Sequence, residues 1–281
     1  MIHAFLMIGQ SNMAGRGFVQ EAPPVFDEHI KMLRNGRWQT MWEPVNYDRP
    51  TSGISLAASF AAAWRLQHSD GEIGLIPCAE GGASLKDWAV GGALFDHAVS
   101  QARLALRDSK LAGILWHQGE SDCFPELAAT YAARLEVIID ALRSELDAPG
   151  VPLIVGGLGD YLASGIYGQY FQSYPLINTA LQDFAHAHAH CYFVSAAGLS
   201  ANPDGIHFNA ASLRVFGLRY FDAFNRLTDA GPDDQEEELL QRIYARPYTL
   251  KEQTALLEYR FASGALTSEA YQQALVILKQ Q

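Results

Sequence analysis

Short apolar runs alternate along this chain with longer stretches in which apolar residues recur every three or four positions. The runs at 3–8, 72–77, 112–116, 151–156 and 191–195 have the length and the turn-forming flanks of buried strands. Residues 56–67, 94–108, 126–146 and 170–186 carry a helical period, and a further helix is predicted over 210–227 after the last strand. Within 126–146, for example, Leu127, Tyr131, Leu135, Ile138 and Leu142 fall on one helix face. Strands alternating with helices imply right-handed crossovers. The predicted fold is α/β, a three-layer α/β/α sandwich around a mainly parallel five-stranded sheet.

Two stretches interrupt this rhythm. Residues 18–53, with Pro23, Pro24, Pro44 and Pro50, are too long for an ordinary connection and are expected to form a functional or capping excursion. Trp38, Trp42 and Tyr47 within it either floor a sugar ring or pack the excursion onto the body. Composition then shifts near Thr228, where the acidic run DAGPDDQEEE carries a Gly-Pro break, as a linker or the start of a helix would. A main domain over 1–228 is therefore expected, followed by an acidic linker and helical hairpin over 229–281. Helices are predicted at 239–244, 254–261 and 267–279. So short a tail makes a marginal core alone and is expected to dock on the main domain or on a partner.

Composition narrows the function. Apolar residues make up 49% and charged residues 18% of 281 positions, which is globular, and length alone leaves one or two domains open. The net charge of −11 argues against nucleic acid and against anionic membranes, because both need a basic surface. Cys78, Cys123 and Cys191 are far apart and odd in number, so they read as reduced structural thiols. The apolar run at 4–8 is too short to span a bilayer, and no basic segment precedes a long apolar one. A cytoplasmic protein is expected.

Candidate chemistry collects where such sheets place it, outside the carboxyl ends of the strands. Ser11 follows the first strand, 80–85 the second, 117–122 the third, and 202–209 comes soon after the last. A serine hydroxyl needs a base, and His207 is the candidate; Asp204, three residues earlier across Gly205, can orient its imidazole. Donors for an oxyanion are the Ser11 N–H, an N–H of Gly81-Gly82 and the side-chain amide of Gln118. The Gly-x-Ser-x-Gly elbow of the α/β-hydrolases is absent, since Met13 stands at the second glycine position.

The ordered set GQSNMAGRG, PCAEGGASLKDW, WHQGESD and DGIHFN resembles the SGNH-hydrolase superfamily, in the branch of sialate O-acetylesterases and acetylxylan esterases (carbohydrate esterase family six). The resemblance covers about 1–227. It implies Ser11 as nucleophile, Gly82 (or Gly81) and Gln118 with the Ser11 N–H as oxyanion hole, and Asp204 with His207 as acid and base. Glu120, in the HQGE block, is the alternative acid. The implied reaction is cofactor-free hydrolysis of an acetyl ester, on a small molecule or an oligosaccharide, through an acyl-serine. The tail more loosely resembles the helical hairpin called SHOCT, which implies oligomerisation, as a homo-oligomer, or regulation.

Other residues near these blocks carry two readings each. Gln10 and Asn12 bind substrate or knit the loop. Arg16 meets an anionic sugar or is salt-bridged, and His117 touches substrate or sits behind the site. Trp88 is read mainly as packing. The HAHAH run at 186–190 matches no common ligand spacing, so no metal is expected. Three rivals stay open: a sugar-binding protein without turnover, a glycosidase using Glu120 with Asp122 or Asp204, and an esterase for a non-sugar ester.

Overall fold

The computed structural model describes residues 1–280. Its strands are β1 (Ile2–Gly9), β2 (Ile30–Arg34), β3 (Arg37–Thr40), β4 (Glu72–Pro77), β5 (Ser109–His117), β6 (Leu153–Gly156) and β7 (Cys191–Val194). They form a single sheet in the order β3-β2-β4-β1-β5-β6-β7. All pairings are parallel except that of β2 with β3. The α/β class holds, with seven strands in place of five.

The two additional strands lie inside the excursion. Asn35 and Gly36 both have positive φ (52° and 73°), which is the backbone of the tight turn that joins twisted antiparallel strands. Arg34 and Arg37 pair across it, and β2 then runs parallel to β4 with Ile30 opposite Ile73. The Asn-Gly dipeptide between two strand-like segments carried this signal. Of the three excursion aromatics read as a sugar floor or as packing, two pack. Trp42 stacks on Tyr259 at 4.5 Å and meets Phe26 at 4.5 Å. Trp38 covers Gly74, and Tyr47 is exposed. None of the three forms a sugar-binding floor.

β1 explains the layers. It is central, hydrogen-bonded to β4 on one side and β5 on the other, and residues 4–8 are fully buried. Alternate side chains point to opposite faces. Phe5 and Met7 enter one core, whereas Ala4, Leu6 and Ile8 enter the other. After the one-turn helix α1 (Ser11–Ala14), the first core is covered by α2 (Ala57–Gln67). The second is covered by α3 (Ala93–Ala105), by α5 (Tyr131–Glu145), which follows the short α4 (Pro125–Ala128), and by α6 (Tyr174–Ala187). The helix α7 (Ala210–Arg226) then returns to the α2 side. The break at Ala129-Thr130 divides the single helix expected over 126–146.

The acidic run is the entry to a helix rather than a free linker. Ala230 extends the sheet edge by exchanging hydrogen bonds with Phe193 and Ser195. Arg219 holds Glu236 at 2.5 Å, at the start of α8 (Glu236–Tyr244), and Leu240 and Ile243 complete the core over α2 and α7. The hairpin α9 (Leu250–Ala262) and α10 (Ser268–Leu278) docks through its first helix. There the buried Glu252 forms a capping box with Thr249 and accepts the Glu28 N–H at 2.8 Å. Among the described residues no helix is long and apolar enough to cross a membrane.

α2 and α7 approach closely at Gly217, where an added Cβ would lie 2.1 Å from the Leu56 carbonyl oxygen and 2.2 Å from Ser59 Oγ. Gly217→Ala is therefore expected to lower stability by about 1–3 kcal/mol, the usual cost of overpacking. A urea unfolding midpoint equal to that of the wild type would contradict this.

Candidate active site

The connection β4 to β5 carries the chain across β1, so the sheet's crevice opens at the carboxyl end of β1. Gly9 ends that strand with φ 131°, and a Cβ there would sit 2.0 Å from the His117 carbonyl oxygen. Only glycine lets the two strand ends lie this close. Gln10 donates its N–H to that same carbonyl at 2.9 Å, and its own carbonyl accepts from Met13 and Ala14, each at 3.0 Å. The chain thus turns abruptly, and Ser11 opens α1 at the floor of the crevice.

His207 comes from the opposite wall. Its Nε2 lies 3.0 Å from Ser11 Oγ and its Nδ1 lies 2.7 Å from Asp204 Oδ2. Gly205, with φ 67°, makes the bend that returns the carboxylate to the ring. Asp204 Oδ1 accepts the N–H groups of Ile206 and His207 at 2.9 and 3.0 Å. Burial alone would raise the Asp204 carboxyl. The hydrogen bonds from the His207 backbone and ring and from Ile206 outweigh it and hold the group below the usual carboxylate range.

Asn12 ties the two walls together. Its Oδ1 accepts the Phe208 N–H at 3.0 Å, and its Nδ2 donates to Glu120 Oε1 at 2.5 Å. Glu120 thus addresses Asn12 and not His207. Its nearest imidazole is that of His117, at 3.9 Å. Asn202 closes the loop: its backbone N–H donates to the His207 carbonyl at 2.7 Å, its carbonyl accepts the Gly205 N–H at 2.9 Å, and its side chain donates to the Arg16 carbonyl at 2.8 Å.

Backbone donors face the same space. Asp48 accepts the Gly81 N–H at 2.9 Å and is clamped by Arg16 at 2.6 and 3.1 Å. Gly82, with φ 79°, then turns its own N–H free. Among the described residues neither the Ser11 nor the Gly82 N–H donates to another group. These donors and the Ser11–His207 pair open on one cleft of about 510 Å³, which Phe18, Arg49 and Phe171 also line. The arrangement can take a proton from the serine hydroxyl and receive negative charge on an adjacent oxygen.

The family described as carbohydrate esterase, sialic acid-specific acetylesterase matches residues 1–226. The chain belongs to that family. It is a carbohydrate esterase, a carboxylic ester hydrolase. It is similar to a probable carbohydrate esterase of Arabidopsis thaliana, 30% identical over 242 residues that cover 78% of this chain and 89% of that protein. The crystal structure of the Arabidopsis protein superposes with a TM-score of 0.70 at 26% identity, covering 80% and 98% of the two chains. NanS shares the fold (TM-score 0.63, 17% identity, 80% and 97% covered). So does a carbohydrate acetylesterase of Xanthomonas citri (0.60, 18%, 78% and 55%).

Within this esterase, Ser11, Gly82, Asp204, His207, Glu120, Gln10 and Arg16 all line the cleft. Gln118 and His117 do not; both are fully buried behind it. The Gln118 Nε2 is surrounded by Asp122 Oδ2, Gln10 Oε1 and the Ala83 carbonyl, at 2.7, 3.1 and 3.1 Å. The Gly157 carbonyl accepts from His117 Nε2 at 3.2 Å, and burial depresses the basicity of the ring. Trp88 is buried and donates to the Gly9 carbonyl. His186 and His188 are drawn apart by different carboxylates, Asp229 and Glu136.

Sequence reasoning missed Phe18, Arg49, Thr51, Ser121 and Phe171 as cleft residues. The first three sit in the excursion, whose length was the available signal. Phe171 lies just ahead of α6, in a stretch read as the helix itself.

Asp48 is buried, which would raise its carboxyl, yet the Arg16 guanidinium and its hydrogen bonds, with those of Ser52 and Gly81, hold it low. A depressed carboxyl stabilises the fold fully above its unfolded pKa, about 4, and that stabilisation is lost as pH falls through the folded value. Asp48→Asn is thus expected to be less stable than wild type at pH 7, with the gap narrowing below about pH 4. Urea unfolding of both proteins across this range tests it, and a gap that is constant or widens in acid would refute it.

Proposed function

We propose that this esterase removes acetyl groups from an O-acetylated carbohydrate through a covalent acyl-Ser11 intermediate. The observation that carries the reading is the unbroken relay from Ser11 Oγ to His207 Nε2 at 3.0 Å and from His207 Nδ1 to Asp204 at 2.7 Å. Ser11 Oγ attacks the ester carbonyl while His207 Nε2 takes its proton. The tetrahedral oxyanion forms beside the free N–H groups of Ser11 and Gly82. Its collapse breaks the bond to the sugar oxygen, which receives the proton from His207. Water, deprotonated by the same imidazole, then attacks the acyl-enzyme, and acetate leaves as Ser11 regains its proton. The net change is ester plus water to alcohol plus acetic acid.

Asp204 is the acid partner in this reading, because its carboxylate bonds the ring directly. Glu120 acts on the site through Asn12, as a positioning residue. Phe18 and Phe171 offer apolar faces at the cleft for the sugar's C–H surface, with Arg49 beside them. A main domain ending near residue 228 supplies every group in this scheme, and the helices after it brace the α2 side and the excursion.

Acetate release from O-acetylated sugars and from p-nitrophenyl acetate tests the proposal. Ser11→Ala is expected to lose about 10⁴-fold or more in kcat while staying folded. Retention of wild-type turnover would end the reading. Asp204→Asn is expected to lose about 10²–10⁴-fold, whereas Glu120→Gln, which keeps an acceptor for Asn12, loses less than about tenfold. The reverse order would make Glu120 the acid.

A further inference from the structure

The free N–H groups of Ser11 and Gly82 are two donors for the oxyanion, and we infer that Gln10 Nε2, in place of Gln118, supplies a third. The inference rests on the acyl-Ser11 reading above. A glutamine amide nitrogen has two hydrogens. Around Gln118 Nε2 stand three acceptors within 3.1 Å, and Gln118 Oε1, at 2.9 Å, shares the one Tyr131 hydroxyl hydrogen with the Gln118 main-chain carbonyl at 2.8 Å. Gln118 is fully buried and has no hydrogen left for a substrate.

Gln10 is the mirror case. Its Oε1 accepts from Gln118 Nε2 at 3.1 Å, from the Ser121 N–H at 3.3 Å and, more weakly, from the Gly119 N–H at 3.5 Å. Three donors on one oxygen fix which end of the amide is oxygen, since a flipped amide would oppose its hydrogens to theirs. The nitrogen therefore points the other way. Gln10 lines the cleft, and its Nε2 has no partner in the chain yet is not sealed from solvent. It belongs to the residue directly before Ser11, whose own N–H is free.

A network then explains why Gln118 matters without touching substrate. Asp122 Oδ1 is held by Arg134, and its Oδ2 accepts from Leu85 and from Gln118. Tyr131 fixes the other end of the Gln118 amide. Gln118 in turn orients Gln10. A donor pre-aligned in this way costs no reorganisation when charge develops. Gln118 is a positioning residue, and Gln10 is the catalytic one.

The test compares p-nitrophenyl acetate with O-4-nitrophenyl thionoacetate, in which sulfur, a weak hydrogen-bond acceptor, replaces the carbonyl oxygen. Two variants are needed. Gln10→Met keeps bulk but removes the donor; Gln10→Glu also keeps an acceptor for residues 118, 119 and 121. Both are expected to lose about 10²–10³-fold in kcat on the oxygen ester with little change in KM. The thionoester should lose far less, so the ratio of the two rates falls at least tenfold. A kcat within about threefold of wild type in folded Gln10→Glu would overturn the inference. So would equal losses on both esters, the signature of a merely structural role. Ser11→Ala run alongside separates the failures: if it retains turnover, the acyl-Ser11 reading itself has failed.

Discussion

Asn12 is the joint on which the site depends. One small amide, buried at the end of the central strand, holds the backbone of the residue after His207 with its oxygen and the Glu120 carboxylate with its nitrogen. Ser11 and His207 are 196 positions apart in the chain, and a 3.0 Å approach between them requires the two loops to be registered to a fraction of an ångström. A buried amide with both ends satisfied provides that registration, because any slip would strand a polar group away from water. The Asn202 contacts to Arg16 and His207 act in the same direction from the other side of the loop.

Around this joint two buried carboxylates, Asp48 and Asp122, each have an arginine partner and a mechanical task. Arg16 neutralises Asp48, and Asp48 uses its remaining acceptor capacity to take the Gly81 N–H, which leaves the next N–H free. Arg134 neutralises Asp122, which orders Gln118 and through it Gln10. Buried pairs of this kind stabilise little by themselves, since desolvation offsets most of the attraction. Their contribution here is orientation. The excursion and the C-terminal helices join the same logic at longer range: the excursion delivers Arg49 and Phe18 to the cleft and Asp48 to the Gly81 N–H, and α9 braces it through the Trp42–Tyr259 stack.

Much of the fold was legible because its signals are local. The apolar runs of β1, β4, β5, β6 and β7, and the helical periods between them, reflect burial on both faces or on one, which any single segment records. The hairpin of β2 and β3 was equally local, written in Asn35-Gly36, but was obscured by the prolines around it. The split of the helix at Ala129-Thr130 was harder to read, since neither residue is a strong breaker and the interruption is set by how α4 and α5 meet the sheet.

The site divides in the same way. By itself the sequence determined which residue types reach the carboxyl edge: a serine after β1, a Gly-Gly after β4, an amide and acids after β5, and an Asp–Gly–His loop before α7. Those follow from strand order and turn chemistry alone. Which amide lines the cleft, Gln10 or Gln118, which acid bonds His207, and which aromatic residues meet the cleft were decided only by tertiary structure. Each of those choices depends on hydrogen-bond partners contributed from distant segments, and a one-dimensional pattern carries no record of who stands opposite whom.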